Sequence, residues 1–206
     1  MSGAIALAAM ALVACGDDHP ARGPDGSLPD GNAGECAPGQ DGVVAEDDST
    51  ITVRGEIACP VTWTAEKAIL LDGLVFVHEG GELTIEPGTT IYGLANSTSG
   101  LPSALIKTRA GKIDAQGTAD RPIVFTSSNP EGERASSDWG GVVLLGRAHT
   151  NKGRNDESDT YLVKNIEGID PDDARGIYGG DDDTFDCGTL RYVRIEFASA
   201  ELSPDN

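Results

Sequence analysis

Six short apolar runs between residues 74 and 125 restrict the fold of this chain more than any other feature. Each run is about four residues long and rich in β-branched types, which is typical of strands. Gly and Pro residues separate the runs, as expected of turns. The runs are Leu74–Val77, Glu82–Ile85, Thr89–Tyr92, Ala104–Lys107, Lys112–Ala115 and Pro122–Phe125.

These runs fall into two sets of three. Gly81–Ile85 aligns with Gly111–Ala115 at an offset of 30 residues. Three strands per repeat is the pattern of a parallel β-helix, in which each repeat forms one coil. We therefore predict an all-β fold over residues 51–206, a parallel β-helix of about three coils. Ile51–Ile57 alternates apolar and polar residues, which indicates a strand that caps the open end.

The net charge of −19 argues against nucleic acid as a partner, because an acidic protein repels phosphates. The 27 Gly and the aromatic content of 5% fit a solenoid, whose narrow core is filled by stacked aliphatic side chains.

The N-terminus indicates export. Ala4–Ala14 is an apolar run too short to span a bilayer, which favours a signal peptide over residues 1–14. Leu12-Val-Ala-Cys15 resembles the lipobox of bacterial lipoproteins, in which the Cys becomes the acylated N-terminus, although no Lys or Arg precedes the apolar run. We expect a lipid anchor on Cys15 that holds the protein at the bacterial cell envelope, on the outer membrane or cell surface.

Residues 15–50 are predicted to be a disordered acidic tether. Residues 16–50 contain seven Gly, four Pro and nine Asp or Glu. Such a composition buries too little apolar surface to offset the entropy of ordering.

Residues 147–188 are predicted to be a long loop insertion, and in solenoids such insertions gather on the binding face. Its acidic residues suggest calcium, which takes six to eight oxygen ligands. A solvated acidic loop is the alternative. The candidate calcium ligands are Asp181, Asp182, Asp183 and Asp186.

Thr189–Phe197 is predicted to be one further strand. By the period of two, Tyr192, Arg194 and Glu196 share the face opposite the apolar set, where they are candidates for gripping a sugar. Were the protein an enzyme, Arg194 would be its base; the alternative is an ordinary exposed Arg–Glu pair. The chain stops soon after this strand, and we expect it to be a piece of a longer protein.

Three cysteines remain after processing: Cys36, Cys59 and Cys187. An exported chain permits disulfides, and the odd count leaves one thiol over. The spacing leaves two pairings open, Cys36–Cys59 and Cys59–Cys187.

Several motifs together resemble a family of bacterial secreted lipoproteins with right-handed, pectate-lyase-like parallel β-helix domains. The resemblance covers residues 57–197 and implies that fold and a cell-surface setting, but no catalytic residues. The motifs are Trp63–Ala65, Leu74–Val77, Leu83–Thr89, Gly117–Thr126 and Asp138–Val142.

The sequence thus favours a surface-anchored, non-catalytic binding, adhesion or structural module, with polysaccharide as the expected ligand and no obligatory cofactor. The alternative is a calcium-dependent polysaccharide lyase or hydrolase.

Overall fold

The computed structural model of the chain describes residues 36–151, 154–155 and 160–202. It confirms the predicted parallel β-helix, because most of its strands pair in parallel and in the same cyclic order. The strands are β1 (Val43–Glu46), β2 (Thr50–Ile57), β3 (Pro60–Trp63), β4 (Ala68–Val77), β5 (Glu82–Ile85), β6 (Thr90–Gly93), β7 (Ala104–Lys107), β8 (Lys112–Gln116), β9 (Ile123–Ser127), β10 (Gly141–Leu144), β11 (Arg154–Asn155), β12 (Thr160–Tyr161), β13 (Lys164–Asn165), β14 (Ile177–Tyr178), β15 (Gly188–Arg191) and β16 (Val193–Ile195).

Three ladders of parallel strands form the wall of the β-helix. Ladder 1 joins the first halves of β2 and β4 to β6, β9 and β16, and ladder 2 joins their second halves to β7 and β10. Ladder 3 joins β3, β5, β8 and β15. The described residues thus contain four complete coils rather than about three, because β2 and β3 already form a coil. β1 lies antiparallel on the outer edge of β2 and covers it.

The predicted offset of 30 is the register of ladder 3. Glu82 pairs with Lys112 and Ile85 with Ala115. Gly occupies the corner before each of these strands, because a Cβ on Gly81 would lie 2.2 Å from the carbonyl oxygen of Ile57. A Cβ on Gly111 would lie equally close to that of Val77, at 2.2 Å. Neighbouring coils therefore approach too closely at this corner for any side chain.

The core consists of side chains stacked in columns along the ladders. In ladder 1 the column runs through Ile69, Ile91, Phe125 and Ile195, which pair in register. The first three are 0% exposed, whereas Ile195 is 46% exposed because it lies in the last described strand. Stacking the next coil is therefore what buries each inward side chain.

The prediction of one continuous strand over Thr189–Phe197 is wrong, because the structure has two strands there. Tyr192 has φ 49°, a left-handed conformation that breaks the segment into β15 and β16. The two strands belong to different ladders, so Tyr192 lies at a corner of the coil. It does not share a strand face with Arg194 and Glu196.

The described part of the insertion packs on the outer face of ladder 2. Ile166, Ile169 and Tyr178 join a cluster with Phe76 and Ile106 from the β-helix wall. The outward side chains of β4, β7 and β10 in ladder 2 are apolar, so the insertion buries a surface that would otherwise face water.

Arg175 fastens the insertion to the wall. Its guanidinium lies 4.1 Å from the centroid of the Phe76 ring and donates to Glu56 at 2.8 Å and to Asp173 at 2.6 Å. The hydrogen bonds and charge of Asp173 and Glu56 raise the pKa of Arg175 further above its ordinary value, so the contact is a charged one at all physiological pH values.

The segment before the first coil is also fastened. Cys36 and Cys59 form a disulfide with a Cα–Cα distance of 5.7 Å, one of the two pairings that the sequence leaves open, and Cys187 is a free thiol. β1 lies within the predicted tether and is ordered instead, because it pairs with β2. Residues 1–35, with the predicted signal peptide and Cys15, lie outside the described residues.

The core columns give a matched test of stacking. We expect Ile91→Ala to lower the free energy of unfolding by about 2–5 kcal/mol, because it leaves a cavity between two coils. Ile195→Ala changes the same residue type in the same column at a half-exposed position and should cost about 1 kcal/mol. Urea denaturation of both variants measures the difference, and equal losses would contradict this account of the core.

Candidate functional site

A groove of about 560 Å³ lies between the end of β10 and the insertion. That volume is within the usual range for pockets that bind small molecules. The residues that line it are Leu144, Leu145, Gly146, Ala148, His149, Thr150, Lys164, Asn165, Ile166, Glu167, Tyr178 and Gly179.

The antiparallel pair of β13 and β14 positions one wall of the groove. Lys164 pairs with Tyr178, and the apolar Ile166 and Tyr178 pack against the wall of the β-helix. Lys164 and Glu167 are exposed. The groove therefore combines an apolar floor with polar side chains at its edge.

Asn165 holds the turn beside this wall. Its amide Nδ2 donates to the backbone carbonyls of Asp170 at 3.1 Å, Pro171 at 3.2 Å and Asp173 at 3.0 Å. The 3₁₀ helix Ala174–Gly176 follows, and a Cβ on Gly176 would lie 1.8 Å from Asn165 Oδ1. Only glycine fits there, which fixes the path of the chain into β14.

His149 and Asp183 join the two sides of the insertion across 34 residues of sequence. The backbone N–H of His149 donates to Asp183 Oδ1 at 2.9 Å, and the imidazole Nδ1 contacts Oδ2. The backbone hydrogen bond from His149, followed by the contact with its ring, holds the pKa of Asp183 below its ordinary value. The sequence identifies no partner for His149, because nothing in a local pattern reports a contact so distant along the chain.

Two basic residues, Lys107 and Arg147, lie next to the groove but do not line it. Lys107 is 0% exposed, and its Nζ donates to the carbonyl of Leu145 at 2.7 Å. Arg147 Nε donates to the carbonyl of Arg109 at 2.9 Å. The Lys107 ammonium and the Arg147 guanidinium also lie 5.0 Å and 4.6 Å from the centroid of the Phe185 ring, where the aromatic face attracts cations. These charges are therefore directed at carbonyls and a ring.

The predicted calcium ligands do not converge in the described part of the chain. Asp182 accepts hydrogen bonds from the backbone and hydroxyl of Thr184, at 3.1 Å and 2.8 Å, and Asp186 accepts from the backbone of Gly188 at 2.8 Å. Asp183 is bonded to His149, and Asp181 is exposed. No group of three or more His, Cys, Asp or Glu among the described residues is arranged to hold a metal ion.

The predicted sugar-binding set is divided as well. Arg194 pairs with Glu196, whose other oxygen accepts from the Thr126 hydroxyl at 3.2 Å. Tyr192 lies at its corner, with the Arg191 guanidinium 5.5 Å from the centroid of its ring. Within the described residues, no hydrogen bond or ion pair connects these side chains to the aspartates at 181–186.

Comparison with known proteins identifies the domain. A family model described as a pectate-lyase-like beta helix domain matches residues 55–206, well over half of the chain. No curated protein and no solved structure matches. Among the helices of the described residues, none is long and apolar enough to cross a membrane.

We expect the contact between His149 and Asp183 to stabilise the two chain segments that it joins. Asp183→Ala should speed amide hydrogen exchange several-fold in peptides covering 146–150 and 179–184, since both ends of the contact lose their partner. Asp181→Ala in the same turn is the control and should leave exchange unchanged.

The stabilisation by the contact between Asp183 and His149 should depend on pH in a definite direction. Because the pKa of Asp183 is lowered, the stabilisation is complete above the ordinary pKa of an aspartate and is lost as the pH falls through the lowered value. The difference in melting temperature between wild type and Asp183→Ala should therefore vanish in strong acid. A difference that grows on acidification would contradict the assignment.

Proposed function

Because the chain belongs to the family of pectate-lyase-like β-helix domains, we propose that it is a non-catalytic polysaccharide-binding module held at the bacterial cell surface by a lipid on Cys15. The β-helix with this family membership fits a polysaccharide-related role. The binding site is the groove between β10 and the insertion.

The composition of the groove supports carbohydrate as the ligand. A sugar ring has apolar C–H faces and a rim of hydroxyls, so it needs flat apolar surface beside hydrogen-bonding groups. Tyr178 and the exposed Leu144 supply the apolar surface, and Lys164, Glu167 and Thr150 supply donors and acceptors at the edge. This pairing of an apolar floor with a polar rim is the observation that carries the proposal.

The arrangement of carboxylates supports binding without catalysis. Hydrolysis of a glycosidic bond usually uses two carboxyl groups on either side of the bond, about 5–10 Å apart. Glu167 is the only Asp or Glu among the described residues that line the groove. Calcium-dependent lyase chemistry would need Asp181–Asp186 to gather around an ion, and the described carboxylates bond separately to their own turns.

The disulfide supports the proposed location. Bonds such as that between Cys36 and Cys59 persist in oxidising compartments, outside the cytoplasm. Export followed by acylation of Cys15 accounts for both the apolar run before Cys15 and this disulfide, with no spanning helix required.

Metabolic labelling with a fatty-acid analogue tests the anchor. In a bacterial host the full chain should take up the label and sediment with membranes, whereas Cys15→Ala should lose both properties. Cys187→Ala removes the free thiol and is the matched control, which should keep the label. A Cys15→Ala protein that still partitions into membranes would remove the anchor from the proposal.

Binding to a glycan array, followed by calorimetry, tests the site. We expect Lys164→Ala and Glu167→Ala each to weaken binding about three- to tenfold, the usual effect of losing a hydrogen bond worth ~0.5–1.5 kcal/mol. The controls are Lys112→Ala and Glu82→Ala, which change the same residue types at exposed positions of ladder 3.

The same glycans, incubated with the protein and calcium, should yield no shortened or unsaturated products. If such products are released and a chelator abolishes their release, the protein is a calcium-dependent lyase or hydrolase and the proposal of a non-catalytic module is wrong. Equal losses in the groove and control variants would place the site elsewhere.

A further inference from the structure

The charges at the groove restrict the kind of polysaccharide that it accepts. Among the described lining residues, Lys164 is the only Lys or Arg and Glu167 is the only Asp or Glu. The imidazole of His149 is already bonded to the carboxylate of Asp183, which adds a negative charge beside the groove. The lining therefore offers an acidic ligand a single described Lys or Arg side chain, and that charge is balanced by Glu167.

Two described basic residues beside the groove, Lys107 and Arg147, are directed at other groups of the protein. Lys107 is 0% exposed, and Arg147 bonds the Arg109 carbonyl and packs on Phe185. A sugar carboxylate in the groove cannot reach a lysine that is completely covered by its own protein. The Lys107 charge is thus kept inside the coil, and the half-buried Arg147 guanidinium lies over the Phe185 ring.

The wider surroundings are acidic. The insertion, residues 147–188, contains eleven Asp or Glu against five Lys or Arg, a formal charge of −6, and the whole chain carries −19. Asp181 and Asp183 are exposed close to Gly179, which lines the groove. Like charges placed together oppose binding and slow association, most strongly at low salt.

From these charges we infer that the groove selects uncharged polysaccharide and discriminates against polyuronates and other acidic glycans. This inference rests on the proposed function and adds its ligand class. Hydroxyl groups are bonded by Lys164, Glu167 and Thr150 without any net charge to neutralise. An acidic chain brings one negative charge per unit into a negative field and is rejected.

Pairs of polymers that differ only in charge test the inference. Galacturonan in its methyl-esterified form is compared with the same chains after de-esterification, and hydroxyethyl cellulose is compared with carboxymethyl cellulose. The array from the preceding experiment adds further neutral and sulfated pairs. For every backbone that binds, the neutral member should bind at least tenfold more tightly at 0.01 M salt, where the Debye length is about 30 Å.

Salt and a charge-reversal variant identify the cause. The difference in affinity between the neutral and the acidic member should become smaller at 0.1 M salt, where screening shortens the range of the electrostatic field to about 10 Å. Asp181→Lys should tighten binding of the acidic member several-fold and leave the neutral member unchanged. The control is Asp114→Lys, on the outer face of ladder 3, which should leave both members unchanged.

The outcomes separate the inference from the function that it extends. Acidic members that bind as tightly as neutral ones, or more tightly, overturn the charge selection and leave a polysaccharide-binding module. A difference in affinity that neither salt nor Asp181→Lys changes also overturns the charge selection, because shape rather than charge would then distinguish the two polymers. If no glycan binds, the proposed function fails and the inference fails with it.

Discussion

The stacking of one coil on the next is the interaction on which the rest of this structure depends. A single coil leaves the edges of its strands unpaired and its inward side chains partly open to water, and fixing its backbone costs conformational entropy. A neighbouring coil pairs those edges and covers those side chains, through shared ladders and continuous columns such as Ile69, Ile91 and Phe125. The glycines at positions 81 and 111 allow the close approach that this stacking needs.

Features that repeat along the chain could be predicted, whereas features made by distant contacts could not. The offset of 30 and the short apolar runs report the ladders directly, because every coil meets the same packing constraint. The contact of His149 with Asp183 spans 34 residues and leaves no periodic trace. The left-handed corner at Tyr192 is equally invisible, since the residues around it alternate as a single strand would. The groove could not be predicted for the same reason, because it forms only where the insertion packs on ladder 2.

Several acidic residues of the insertion form hydrogen bonds that hold its turns together. Asp182, Asp183 and Asp186 each accept hydrogen bonds within or between turns, so the density of charge that suggests calcium is distributed over separate tasks. What remains at the groove is a polar edge over an apolar floor. Lys107 is buried while Asp181 and Asp183 are exposed, so the charges that help to fold the insertion also set the electrostatic field that a ligand meets.

The disulfide between Cys36 and Cys59 has a mechanical consequence. Tension applied anywhere before Cys36 passes through the sulfur bridge to Cys59, 23 positions further along the chain, and bypasses the residues between them. β1 and β2 lie within that shielded span, so they are not unzipped pair by pair when the N-terminal end is pulled. The force enters at the corner between β2 and β3 instead, where two ladders must shear together before the first coil can open.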